Sequence, residues 1–203
     1  IEDDSYGVYS PLFDEMGYAS ATHPDELVFA LLANGFAQQG YDGQYFFDSD
    51  HPVGDGTVSN MQSGSSNPWF LLDTRRMIKP LIFQRRRDYD LKSMTDRNDE
   101  EVFMKDEFRY GVDARVNAGY GFWQMAFGSK ADLTASNFNS ALEAMMAFQS
   151  DEGRPLGINP SLLVCGPSTR AAAKEIVEAE RNAQGATNIN RNAVNILVTP
   201  YLQ

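Results

Sequence analysis

A chain of 203 residues that is 42% hydrophobic can build one substantial core or two small ones sharing a boundary, and its single cysteine, Cys165, excludes stapling by an internal disulfide. The formal net charge of -11 argues against a conventional DNA-binding module, which needs clustered Lys and Arg facing phosphates. No apolar run approaches the ~20 residues of a bilayer span, and Ile1-Glu2-Asp3-Asp4 lacks the basic start of a signal peptide, so a soluble protein of a reducing compartment such as a cytoplasm is expected. The first residue is not methionine, which points to a processed or truncated product.

The opening 35 residues read as helix. Tyr9, Leu12, Phe13 and Met16 recur at helical spacing, and Leu27, Ala30, Leu31 and Asn34 do so again before Gly35 stops the pattern. Between them, Thr22-His23-Pro24-Asp25 has the form of a helix start, with Thr22 as cap and Pro24 in the first turn. Two helical pieces or one bent long helix satisfy this pattern. Residues 40 to 68 are rich in Gly, Ser, Asn and Asp and read as a long excursion, anchored at its aromatic base (Tyr41, Tyr45, Phe46, Phe47) and freer at its tip.

The clearest period of two lies at 108 to 122, where Phe108, Tyr110, Val112, Ala114, Val116, Ala118, Tyr120 and Phe122 alternate with polar residues and glycines. Such a stretch would run roughly 50 Å if straight, so either it bends at Gly119-Tyr120-Gly121 or the molecule is elongated. Met77 to Phe83 supplies a partner strand, with Pro80 preferring an edge. After Gly128 the pattern turns helical. Phe138, Ala141, Leu142, Met145 and Phe148 form one apolar face, Thr134 or Ser136 caps it, and Gly153 lies beyond its end. A short buried strand at Ser161 to Cys165, a helix from Ser168 to Arg181 and a strand at Val194 to Val198 complete a compact α/β tail.

Charge is distributed unevenly. Residues 1 to 74 hold 12 of the 28 acidic side chains and no Lys or Arg, whereas residues 75 to 97 hold eight basic against three acidic. That asymmetry suits head-to-tail contact between identical subunits through Arg75, Arg76, Arg85, Arg86 and Arg87, or else mutual neutralisation inside one subunit. Arg85 to Arg87 also invite a nucleic-acid backbone, but no aromatics interleave with them except Tyr89.

Asp48-Ser49-Asp50-His51 is the run closest to an enzyme site, since two carboxylates and an imidazole at short spacing can bind a divalent cation and serve a metal-dependent hydrolase. The competing reading is an Asp-rich turn before Pro52 whose carboxylates cap backbone N–H groups. Cys165 lies on an apolar strand with no histidine near it in sequence and reads as core. A phosphate loop and a Gly-x-Ser-x-Gly elbow are both absent, and Gly119-Tyr120-Gly121 lacks the third glycine of a dinucleotide fingerprint.

Six runs together resemble the major head subunit of Mu-like phages: Asp25 to Leu32, Tyr41 to Pro52, Trp69 to Thr74, Lys79 to Ile82, Phe108 to Val112 and Gly119 to Gln124. They fall in the family's order across almost the whole chain. The resemblance implies an α+β capsid fold of the Hong Kong ninety-seven type, with a spine helix, a long-stranded peripheral domain and an α/β axial domain. On it, residues 1–128 are expected to be peripheral-type and 129–203 axial-type. The family's N-terminal arm and extended loop are expected to be missing from this chain. The implied role is non-enzymatic: pentamers and hexamers of an icosahedral head enclosing double-stranded DNA, assembled in the host cytoplasm with scaffold, protease and portal. Neither a cofactor nor a membrane enters that role, and Asp48, Asp50 and His51 become a loop anchor.

Overall fold

The computed structural model describes residues 7, 9–182 and 185–202. In chain order its elements are α1 (Tyr9–Ala33), β1 (His51–Val53), β2 (Gly56–Val58), β3 (Met61–Gln62), β4 (Trp69–Leu72), β5 (Leu81–Met94), α2 (Glu100–Lys105), β6 (Arg109–Tyr120), β7 (Ala126–Ser129), α3 (Ala135–Met146), β8 (Leu162–Cys165), α4 (Arg170–Val177) and β9 (Asn195–Val198). They group into two compact units, one of residues 28–82 with 119–203 and one of residues 1–27 with 83–118. α1, β5 and β6 each contribute residues to both. The chain-order boundary expected at 128/129 lies within β7, a strand paired with β3 and β4 from the earlier part of the chain.

The first unit is built on a five-stranded mixed sheet in the order β3-β7-β4-β8-β9. Trp69, Phe70, Leu71 and Leu72 of β4 are all buried, as an unbroken apolar run must be when both faces of a central strand are covered. β8, α4 and β9 form a βαβ crossover with β8 and β9 parallel, while α3 packs on β7 through Phe138, Ala141 and Met145. Thr134 caps α3 by accepting from Asn137 N–H at 3.2 Å. α4 stops at Val177, short of the expected Arg181, because Asn188 Nδ2 donates to the carbonyls of Ile176 and Ala179 at 2.9 Å each and so supplies the helix end with side-chain partners.

The helix start expected at Thr22 is not there. α1 runs unbroken through Pro24, and the Thr22 hydroxyl turns back to the carbonyls of Tyr18 and Ala19 at 3.2 Å, as Ser20 does to Met16 at 2.8 Å. Sequence alone does not separate a capping hydroxyl from one bonded to the preceding turn. The long-helix alternative is the one realised, with its end in a 3₁₀ turn at Asn34–Phe36.

Residues 40–68 are more ordered than a free-tipped excursion. β1 and β2 form a hairpin, and its tip is tethered where Gly54 N–H donates to Asp151 at 3.1 Å. Phe46 and Phe47 enter the core, where Phe47 lies against Phe36 and Phe70. A Cβ at Gly35 or Gly128 would come within 2.6 or 2.7 Å of the Phe47 ring, so both positions are glycine for space.

The second unit contains the β5–β6 ribbon, α2 and most of α1. β6 occupies the expected position and ends at Tyr120, with Gly121 N–H donating to Pro80 O at 2.8 Å. Its partner begins and ends later than expected: β5 is Leu81–Met94, and Met77 and Ile78 are exposed outside it. The expected buried face is not realised within this unit, since no residue of β5 or β6 is fully buried. α1 partly covers the ribbon, with Phe13 edge-on to Tyr110 at 4.9 Å and His23 Nδ1 hydrogen-bonded to the Tyr89 hydroxyl at 2.8 Å. Among the described residues no helix is long and apolar enough to cross a membrane.

Candidate assembly surfaces and a buried histidine anchor

His51, at the start of β1, is fully buried and stacked on Trp123 with ring centroids 4.0 Å apart. Its Nδ1 lies 2.7 Å from Asp42 Oδ2 and its Nε2 lies 3.0 Å from Asn60 Oδ1. Asn60 is also fully buried. Its Nδ2 points at the carbonyls of Phe46, Trp123 and Ala126, and that fixes Oδ1 as the atom turned toward His51 and the Asp48 N–H. Both ring nitrogens of His51 are therefore engaged by neighbouring side chains. With both nitrogens engaged and the ring enclosed, neither is free to take a metal or a substrate.

Asp48 does not join the ring. Its carboxylate accepts from the N–H groups of Ser49 at 2.7 Å and Tyr45 at 3.2 Å, as a turn-capping aspartate does. Burial pushes the Asp48 carboxyl up, but these N–H groups outweigh it and hold the group below the usual carboxylate value. Asp50 is exposed and held above that value by desolvation and by Asp48 beside it. Of the three expected anchor residues, then, only His51 is a buried tie, and its partners Asp42 and Asn60 were not singled out from sequence. Among the described residues no three of His, Cys, Asp and Glu converge as a metal site requires.

The five arginines expected at an interface differ in what they touch. Arg75 reaches Asp73 at 3.3 Å, and Arg76 donates to the carbonyls of Leu156 and Gly157, the latter at 2.9 Å. Arg85 pairs with Asp88 at 2.8 Å and Arg87 with Asp113 at 2.9 Å. Arg86, between them, has no ion-pair partner among the described residues. Four of the five thus have contacts within the chain. The exposed apolar side chains lie mostly elsewhere: Phe103 and Met104 on α2 are 79% and 71% exposed, and Leu91 and Phe108 are more than half exposed.

A family model described as "Mu-like prophage major head subunit gpT" matches residues 1–202. The chain belongs to this family. It is 47% identical to the Mu-like prophage FluMu major head subunit of Haemophilus influenzae and 42% identical to the major capsid protein of Escherichia phage Mu, covering all of this chain and 71% of each relative. Among solved structures it is similar to the bacteriophage JBD30 capsid, with a TM-score of 0.90 at 34% identity, and to the JBD30 procapsid, with a TM-score of 0.85 at 50% identity; each likeness covers all of this chain and 71% of the other. The α+β capsid fold expected from the six runs is therefore the fold of this head-subunit family member.

One buried and one half-buried polar group also tie the sheet unit together. Asp73, at the end of β4, is fully buried and accepts from Asn159 N–H, Arg75 N–H and the Arg75 guanidinium. Burial pushes its carboxyl up, but these donors prevail and hold it below the usual carboxylate range. Tyr120 donates to Leu31 O at 2.6 Å and stacks on Phe46, and burial pushes its phenol up to about 12. Asp73 lies in the Trp69 to Thr74 run and Tyr120 in the Gly119 to Gln124 run, but nothing in the spacing around Asp73 reveals a buried carboxylate. Cys165 is buried and its thiol is pushed up by desolvation, which leaves it a core side chain.

Proposed function

We propose that this chain builds the shell of a Mu-like phage head, with copies joining as pentamers and hexamers of an icosahedral capsid that encloses double-stranded DNA. The match of residues 1–202 to a head-subunit family carries the reading, and the likeness to a capsid at a TM-score of 0.90 supports it. The role is assembly without catalytic turnover, cofactor or membrane. Large shells join through many weak contacts, so the energy per subunit is spread over apolar and ionic patches. Exposed Phe103, Met104, Leu91 and Phe108 are the kind of surface such contacts cover.

In this reading residues 1–128 serve as the peripheral-type part and 129–203 as the axial-type part, with strands from both completing the central sheet. Arg75, Arg76, Arg85, Arg86 and Arg87 face the acidic 1–74 segment of a neighbouring copy, while Asp48, Asp50 and His51 hold the 40–68 segment in place. DNA is contacted without sequence specificity. Scaffold, protease and portal take part, and assembly occurs in the cytoplasm of the bacterial host before the subunit resides in the virion. Negative-stain microscopy of the full-length subunit tests this: rings or closed particles are expected. A polypeptide that stays monomeric at every concentration overturns it, as does turnover of a small molecule that requires His51.

A further inference from the structure

Arg86 on β5 and Arg115 on β6 line one recess of about 280 Å³ together with Gln84, Val116 and Asn117. Neither guanidinium has an ion-pair partner among the described residues, although Arg85 and Arg87 on either side of Arg86 both do. Two like charges held at one recess repel, and an anion placed between them turns that repulsion into attraction. Each guanidinium presents a planar fork of donors that fits the two oxygens of a carboxylate, and the amides of Gln84 and Asn117 can donate as well.

We infer that Arg86 and Arg115 form a receiving site for a carboxylate side chain of a second copy of this chain. The chain itself carries the complementary charge. Residues 1–74 hold 12 acidic side chains and no Lys or Arg, and residues 96–107 hold six acidic against two basic. A DNA phosphate is the poorer occupant, because a backbone-binding surface needs an extended basic row and this chain of 203 residues has a net charge of -11. The contact joins unlike surfaces on two copies, the geometry that closes a ring when the rotation allows. The site presupposes the assembly proposed above.

Full-length subunits carrying Arg86→Ala with Arg115→Ala, compared with wild type and with a Lys174→Ala, Arg191→Ala control that also removes two basic charges, each paired within the chain, test the site. Light scattering should give particle formation slowed about tenfold or more in the Arg86, Arg115 double variant and near normal in the control. Normal assembly of the Arg86, Arg115 variant, or equal slowing by the control, overturns the inference. Particles that form normally but hold less DNA overturn it in favour of phosphate. Nuclear magnetic resonance of the unassembled subunit reads the site independently, since a hexaglutamate peptide should shift the Arg86 and Arg115 Nε–H signals more than inorganic phosphate at equal charge. Equal shifts, or none, count against the carboxylate. A wild-type subunit that never assembles refutes the assembly reading, and the peptide titration still decides the site.

Discussion

Every residue of β4 and β7 in the five-stranded sheet is buried, whereas among the described residues of the ribbon-bearing unit only Val102 is. The sheet unit also satisfies its buried polar groups internally, with Asn60, His51 and Asp73 each bonded on all sides. By contrast, the ribbon-bearing unit leaves Phe103, Met104, Leu91 and Phe108 to water, and its Arg86 and Arg115 have no ion-pair partner among the described residues. A two-stranded ribbon is marginal in water by itself, so its apolar side chains gain most when another surface covers them. One chain therefore joins a region that is complete within one copy to a region whose chemistry is left open, a division suited to a subunit that folds first and is then built into a lattice.

The sharpest way to break this comparison is to remove the same ring from both regions. Phe70→Ala in β4 should cost about 3–5 kcal/mol in chemical denaturation, because it opens a cavity among Phe36, Phe47 and the sheet. Phe103→Ala should change subunit stability by less than about 0.5 kcal/mol and instead reduce particle yield. Equal losses at the two positions would mean that the ribbon is as self-sufficient as the sheet.

Somewhat smaller effects are expected at the histidine anchor. Asn60→Ala removes the side-chain partner of the Asp48 N–H, of His51 Nε2 and of the Phe46 carbonyl, and should destabilise by about 2–4 kcal/mol. His51→Ala should cost about 2–3 kcal/mol, since it removes the ring that bonds Asp42 Oδ2 and Asn60 Oδ1 and stacks on Trp123. Thermal melts of the two single variants and the double variant should be non-additive, with the double losing less than the sum. Strict additivity would mean that the two side chains act separately.

How far these features were legible in the sequence follows from how local their causes are. The β6 alternation, the apolar face from Phe138 to Phe148 and the Thr134 cap are set by neighbours within a few residues, and their positions were readable. The continuity of α1 was not, because Thr22-His23-Pro24-Asp25 has the residues of a cap and only the continuing turns before it show one helix in place of two. His51 stood out as a rare residue, but Asn60, nine positions on, is an ordinary loop residue until the fold brings its amide between His51 and the Phe46 carbonyl. The arginine run looked uniform. Only pairing with Asp88 and with Asp113, the latter 26 positions away, separates Arg85 and Arg87 from Arg86.

Asp73 sharpens the comparison through pH. Its folded carboxyl lies below the unfolded value, so the stability it contributes is fully present above the unfolded value and is lost as pH falls through the folded one. Melting temperatures taken between about pH 6 and pH 2 should fall more steeply for wild type than for Asp73→Asn, with the gap between the two closing at the acid end. A variant whose acid profile superimposes on wild type would mean that the Asn159 and Arg75 donors do not hold the carboxylate.

The smallest effect belongs to the paired ribbon arginines. The Arg85–Asp88 and Arg87–Asp113 pairs are exposed on both partners, where salt screening and side-chain entropy leave little net gain, so Arg85→Ala and Arg87→Ala should each shift stability by less than about 0.5 kcal/mol. Raising the salt concentration should narrow even that difference. If either variant melts well below wild type at low salt, the ribbon draws appreciable stability from its own ion pairs and is less open than its exposed surface implies. If neither does, Arg85 and Arg87 are near-neutral flanks of a position, Arg86, whose charge no contact within the described chain takes up.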